Sequence, residues 1–155
     1  MNLAERLNED LKTAMKEKDA ARLGTLRLVR AELLKRQKEK AGVELTDELV
    51  ADALSMMVKQ RRDSIEQYMA ADRQDLAAAE RAEIEVIAAY LPQELSDEEI
   101  HAAIDAALVA TGAASPSAMG KVMGPLMKDL KATGRPFDGK RVNALLKARL
   151  EAATG

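Results

Sequence analysis

The sequence has no cysteine and no tryptophan, and a single histidine, His101. Without cysteine there are no disulfides, no thiolate metal sites and no cysteine nucleophile. A lone histidine leaves a zinc site short of ligands and a Ser-His-Asp triad without its setting. Ser96 and Ser115 read as helix caps, and no serine sits in a Gly-rich nucleophile turn. A phosphate-cradling glycine loop is also missing. No catalytic residue, no metal and no cofactor is therefore expected. Aromatics are scarce: Tyr68, Tyr90 and Phe137 are all the chain offers. Stacking on such rings contributes about 1–3 kcal/mol per base where single strands are read, so base-by-base readout is not expected. No stretch approaches the roughly 18 apolar residues of a membrane span. The opening Met-Asn-Leu-Ala-Glu-Arg is charged where a signal peptide is apolar. On those grounds the expected location is cytoplasmic, with no membrane partner.

What is present is aliphatic and helical. Of the 155 residues 47% are hydrophobic and 32% charged, a globular mixture. Apolar positions recur with helical spacing. Leu3, Leu7, Leu11 and Met15 mark a first helix behind Asn2. Leu23, Leu26, Val29, Leu33 and Leu34 mark a second behind Asp19, closed at Gly42. A third follows Thr46 with Val50, Leu54, Met57, Val58, Arg61, Ile65 and Tyr68. A fourth begins at Asp72, with Leu76, Ala79, Ile84, Ile87 and Leu91 inward. Pro92 ends it, lacking a donor and disfavouring helix at the residue before, and the domain boundary falls there. Ser96 and Glu99 form a capping box for a fifth helix with Ile100, Ile104 and Leu108, closed by Gly112. Ser115-Pro116 opens a sixth, lined by Met119, Val122, Met123, Leu126 and Leu130. Asp138 caps a seventh with Val142, Leu145, Leu146 and Leu150. The expectation is an all-α protein: about four helices over residues 1–91, then a three-helix domain over 92–155. Pro125, inside the sixth helix, predicts a kink or a split at Gly124.

The net charge of −2 conceals an asymmetry. Residues 1–71 hold 14 Lys/Arg against 13 Asp/Glu, residues 72–111 hold 2 against 10, and residues 112–155 hold 8 against 3. In the basic tail Lys121, Lys128, Lys131, Arg135, Lys140, Arg141, Lys147 and Arg149 offer several cations to one phosphate backbone. Gly120, Gly124, Gly134 and Gly139 offer close approach. The same residues also suit solvated helix faces with glycines as caps. A second basic run, Arg27 to Lys40, either extends an RNA surface or pairs with neighbouring acids. Lys59 with Asp63 and Arg62 with Glu66 have the i, i+4 spacing of surface pairs. The acidic stretch around Glu80, Glu83, Glu85, Glu94, Asp97, Glu98 and Glu99 reads as helix starts and outer faces rather than a hard-cation site.

Several motifs, in order, carry a family likeness: Lys59-Gln-Arg-Arg-Asp-Ser-Ile-Glu-Gln-Tyr68, Asp75-Leu-Ala, Glu83-Ile84, Tyr90-Leu-Pro-Gln-Glu-Leu-Ser96, Met119-Gly-Lys-Val-Met-Gly124 and Asp138-Gly-Lys140. Together they resemble the GatB/YqeY family over essentially the whole chain. Residues of about 93–155 are similar to the tail of the GatB subunit of glutamine-dependent aspartyl/glutamyl-tRNA amidotransferases, which grips tRNA while chemistry occurs elsewhere. The resemblance implies a non-catalytic module that contacts RNA, of the tRNA class, through Lys121, Lys128, Lys131, Arg135, Lys140 and Arg141, with Gly120, Gly124 and Gly139 permitting approach. It also implies an amidotransferase or synthetase-type protein as a possible partner, and no DNA. The alternatives are an adaptor docking through the N-terminal helices, or carbon–nitrogen ligase activity with glutamine as amide donor.

Overall fold

Asn2 and Glu5 start the fold by capping each other. Asn2 Oδ1 accepts the Glu5 N–H at 2.8 Å, and Glu5 Oε2 accepts the Asn2 N–H at 3.0 Å, so two donors that a helix start leaves orphaned are satisfied. The computed structural model describes residues 1–154. Helix α1, Leu3–Glu17, buries Leu7, Leu11 and Ala14. The expected fourth member of that stripe, Met15, is 52% exposed. A spacing of four advances about 40° more than a full turn, so by Met15 the stripe has rotated off the core and Ala14 takes the inward place. Lys18 turns the chain in the left-handed region (φ 56°), and Asp19 accepts the Arg22 N–H at 3.1 Å to begin α2, Ala20–Glu39. Leu26, Val29 and Leu33 are buried there, whereas Leu34, expected inside, is 46% exposed.

Helix α3, Asp47–Ala70, is capped by Thr46, whose Oγ1 accepts the Leu49 N–H at 3.2 Å. Its Asp47 reaches back to accept the Leu3 N–H at 2.8 Å. Helix α4 runs Gln74–Ala88. It does not begin at Asp72, which occupies a left-handed turn (φ 56°), a conformation short polar side chains tolerate. Nor does it reach Leu91, and Ala79 is exposed rather than inward. Arg61 Nε and Glu83 Oε2 meet at 2.7 Å and tie α3 to α4. Arg61 is therefore an anchor within the packed face, and Glu83 belongs to that pair instead of to an outer acidic surface. Val50, Ala53, Leu54 and Ile87 are fully buried at the centre of this unit. The chain divides into two units, Met1–Leu91 and Pro92–Gly155.

The second unit starts with the capping box: Ser96 Oγ accepts the Glu99 N–H at 3.2 Å, and Glu99 accepts the Ser96 N–H at 3.0 Å. Helix α5, Asp97–Thr111, ends at Gly112 (φ 67°), a position that only glycine takes without strain. Pro116–Ala118 forms a single 3₁₀ turn, so the proline opens that turn and not α6 itself, which spans Met119–Ala132. Pro125 lies within α6 and does not split it. The proline is exposed at the flank of the stripe that includes Val122 and Leu126, both fully buried; the packing of that stripe holds the helix together despite the lost Lys121 carbonyl bond. Helix α7 spans Gly139–Thr154. Ile100, Ile104, Val122, Leu126, Leu130, Val142, Leu146 and Leu150 form the core, with Met119, Met123 and Met127 packed at its edge. Among the described residues all regular structure is helical.

Candidate nucleic-acid interface

The outer face of α6 is set by its core. Val122, Leu126 and Leu130 fix which side is buried. At about 100° per residue, Lys121, Gly124, Lys128 and Lys131 lie opposite, and all four are exposed. Lys121 and Lys128, two turns apart, stand nearly in line, with Gly124 between them. Beyond its chain neighbours, a Cβ added at Gly120 or Gly124 would meet nothing within 4 Å, so neither glycine is needed for packing between helices, although the Pro125 ring disfavours a side chain at Gly124. The Gly124 N–H is committed to the carbonyl one turn back. The glycines thus offer close approach to the helix surface and not a free amide for phosphate. Asp129 is the nearest acid on α6 and projects roughly a quarter turn away from the lysine line. The side chains of Lys121, Lys128 and Lys131 make no ion pair or hydrogen bond among the described residues.

The arginines behave differently. Arg135 Nη1 donates to Glu99 Oε1 at 3.0 Å, Nε to the Gln93 carbonyl at 2.9 Å and Nη2 to the Glu94 carbonyl at 3.2 Å. Arg141 holds Asp97 through two bonds, 2.6 and 3.2 Å. Arg149 pairs with Asp105 at 2.5 Å. Each partner belongs to α5 or the segment before it. The Arg141 guanidinium beside Asp97 holds that carboxyl below its ordinary range. Glu99 is lowered chiefly by Arg135 and then by the Ser96 amide. A planar guanidinium with a fixed fork suits this bidentate role, whereas an ammonium on a flexible stem suits solvent-facing contact with phosphate. Of the eight expected cations in the tail, the three arginines are fasteners within the unit.

On α7 the outward cations are Lys140 and Lys147, both exposed. The Lys140 N–H donates to Asp138 Oδ1 at 3.0 Å. The start of α7 beside Gly139 is therefore already occupied by a carboxylate, which an incoming phosphate would have to displace. Across residues 92–155, eight Lys/Arg face eight Asp/Glu, so the basic tail folds against the acidic segment before it and the unit is neutral. Its positive potential is local to the lysine faces. His101 Nδ1 is buried with no hydrogen-bond partner, and nothing in the structure explains it. On α2, Arg36 pairs with Glu32 at 3.1 Å, while Arg27, Arg30, Lys35 and Lys38 are exposed without ion pairs among the described residues.

A family described as "Yqey-like protein" matches residues 4–150. Among similar proteins is "Altered inheritance of mitochondria protein 41, mitochondrial" of Pyrenophora tritici-repentis, 31% identical over 140 residues, 89% of this chain and 75% of the relative. Its namesake in Lachancea thermotolerans is 31% identical over 146 residues, 93% of this chain and 76% of that one. The Candida glabrata protein of the same name is 37% identical over 93 residues, 59% of this chain and 51% of the relative. These names overturn the expected cytoplasmic location. The opening residues on which it rested are an N-cap and the first turn of a packed helix, so their charge reports on how that helix starts. Matched over nearly its whole length, the chain belongs to the YqeY-like family.

Proposed function

We propose that residues 92–155 form a non-catalytic RNA-contacting module, directed at tRNA, whose contact surface is the outer face of α6. The observation that carries this reading is the division of labour among the cations: the arginines are paired with α5 and the segment before it, while Lys121, Lys128 and Lys131 share an exposed face with Gly120 and Gly124. Three ammonium groups on one helix stripe with room for a close backbone suit a phosphate ridge of folded RNA. The likeness of residues of about 93–155 to the GatB tail supports tRNA as the class. Lys140 extends the surface from α7; Arg135 and Arg141 position its scaffold and do not touch RNA.

Because the relatives are named mitochondrial, total mitochondrial tRNA is the first probe. Lys121→Glu with Lys128→Glu, measured by equilibrium binding at low salt, should weaken affinity by about tenfold or more while leaving the helical circular dichroism unchanged. Equal affinity of the double variant and the parent would refute the assignment.

A further inference from the structure

The first unit has an opening of its own, between α1 and α2. A cavity of about 170 Å³ opens there. Leu7, Leu11, Leu26 and Leu33 line its buried side, and Arg30 and Leu34 line its exposed side. Leu34 also borders a shallow depression with Ala31, Lys35, Lys38 and Glu39. Along α2, Arg27, Arg30, Ala31, Leu34, Lys35 and Lys38 fall on one exposed face. That face therefore carries four unpaired cations beside a half-exposed leucine: Arg30 lines the opening, which is walled by leucines with Asn8 and Gln37, Lys35 and Lys38 line the depression, and Arg27 lies on the same face.

We propose that this opening receives one bulky apolar side chain from an acidic amphipathic helix of a partner protein, whose carboxylates lie over Arg27, Arg30, Lys35 and Lys38. Size argues for a single anchor. The cavity is well below the roughly 300–1,000 Å³ of small-molecule sites, and buried anchors in small pockets are what helix-in-groove recognition uses. Charge argues for the partner's sign: four cations with Glu39 as the one carboxylate lining the depression complement an acidic segment and repel a basic one. Nucleic acid fits less well, because leucines offer phosphates nothing and no aromatic lines the opening for a base. An anionic membrane fits less well too, because the apolar side of α2 is already committed to the core.

The test pans a display library of helical 16-residue peptides against the full-length chain. Selected peptides should carry a Leu, Met or Phe anchor with Asp or Glu on the same face. Their affinity should fall about tenfold or more both for Leu34→Ala and for Arg30→Glu with Lys38→Glu. All three positions are exposed, so these variants are expected to fold, and circular dichroism checks it. Enrichment of basic or anchor-free peptides, or affinity indifferent to both variants, overturns the proposal. So does loss, in the α2 charge variant, of binding to total tRNA or to vesicles of 70% phosphatidylcholine and 30% phosphatidylserine, with no peptide selected. Since α6 plays no part, failure here leaves the lysine-face reading standing, and the reverse also holds.

Discussion

Arg141 holds Asp97 through both arms of its guanidinium, Nη2 to Oδ2 at 2.6 Å and Nε to Oδ1 at 3.2 Å, across 44 residues of sequence. The pair fastens α7 to the first turn of α5, beside the contact of Arg135 with Glu99. Exposed pairs are screened by salt and individually weak, but their placement decides which cations remain available to a ligand. Arg141→Gln and Arg135→Gln should each lower the melting temperature of the protein slightly at low salt, with the difference shrinking as salt rises. Neither should alter the salt dependence of tRNA binding. Thermal scans and binding isotherms on the same samples check both halves.

The same pairs give the second unit an acid sensitivity. Asp97 and Glu99 are held below their ordinary values in the folded state, chiefly by Arg141 and Arg135. A depressed carboxyl contributes its full stabilisation above the unfolded value, about 3.9 for Asp and 4.3 for Glu. That stabilisation is lost as pH falls through the lower folded values. Denaturant melts between pH 6 and pH 3 should show the parent losing stability more steeply than Asp97→Asn with Glu99→Gln. Parallel profiles would show that the pairs do not persist in solution.

An alkaline transition is expected in the first unit. Tyr90 is 6% exposed; its hydroxyl donates to Asp10 at 2.5 Å, and the Arg6 guanidinium lies 4.8 Å from its ring centroid. Burial, followed by the Asp10 hydrogen bond, pushes the phenol up to about 12. A raised value stabilises the folded state fully below the unfolded value of about 10, and that contribution disappears as pH climbs from there through about 12. Tyr90→Phe should lower stability by about 1 kcal/mol at neutral pH and remove the loss between pH 10 and 12. Phenolate absorbance with denaturant melts reads both.

Gly124 separates stability from function. It lies inside α6, exposed, with nothing beyond its chain neighbours within 4 Å of an added Cβ. Gly124→Ala should leave stability within about 1 kcal/mol of the parent, because the lower unfolded-state entropy of alanine is offset by its Cβ meeting the Pro125 ring, which disfavours helix at the residue before a proline. It should weaken tRNA binding if RNA approaches the helix there. Chemical denaturation and equilibrium binding test the two effects separately.

Local signals were legible in the sequence, and partners were not. The Ser96–Glu99 box, the Thr46 and Asp19 caps and the left-handed Gly112 depend on residues within one turn, so spacing alone locates them. The all-α class follows from periodicity over long stretches. Met15 continues an apolar spacing whose phase has drifted and Leu34 directly follows a buried leucine, so only packing reveals where the core ends. Asp72 stands where the apolar pattern of the fourth helix opens but sits in a left-handed turn. The candidate site was half legible: its lysines are where the basic tail suggests, yet the arginines' partners lie 36 to 44 residues away. No local pattern distinguishes an arginine awaiting phosphate from one closed on a carboxylate.

Joint action of Lys121, Lys128 and Lys131 on phosphates is tested most directly by the salt dependence of tRNA binding. The slope of log affinity against log salt should become shallower by about 0.7–0.9 for each of these lysines replaced by alanine, with no change for Arg141→Gln. Slopes that stay the same in the triple alanine variant, or that flatten only when the arginines are replaced, would contradict it.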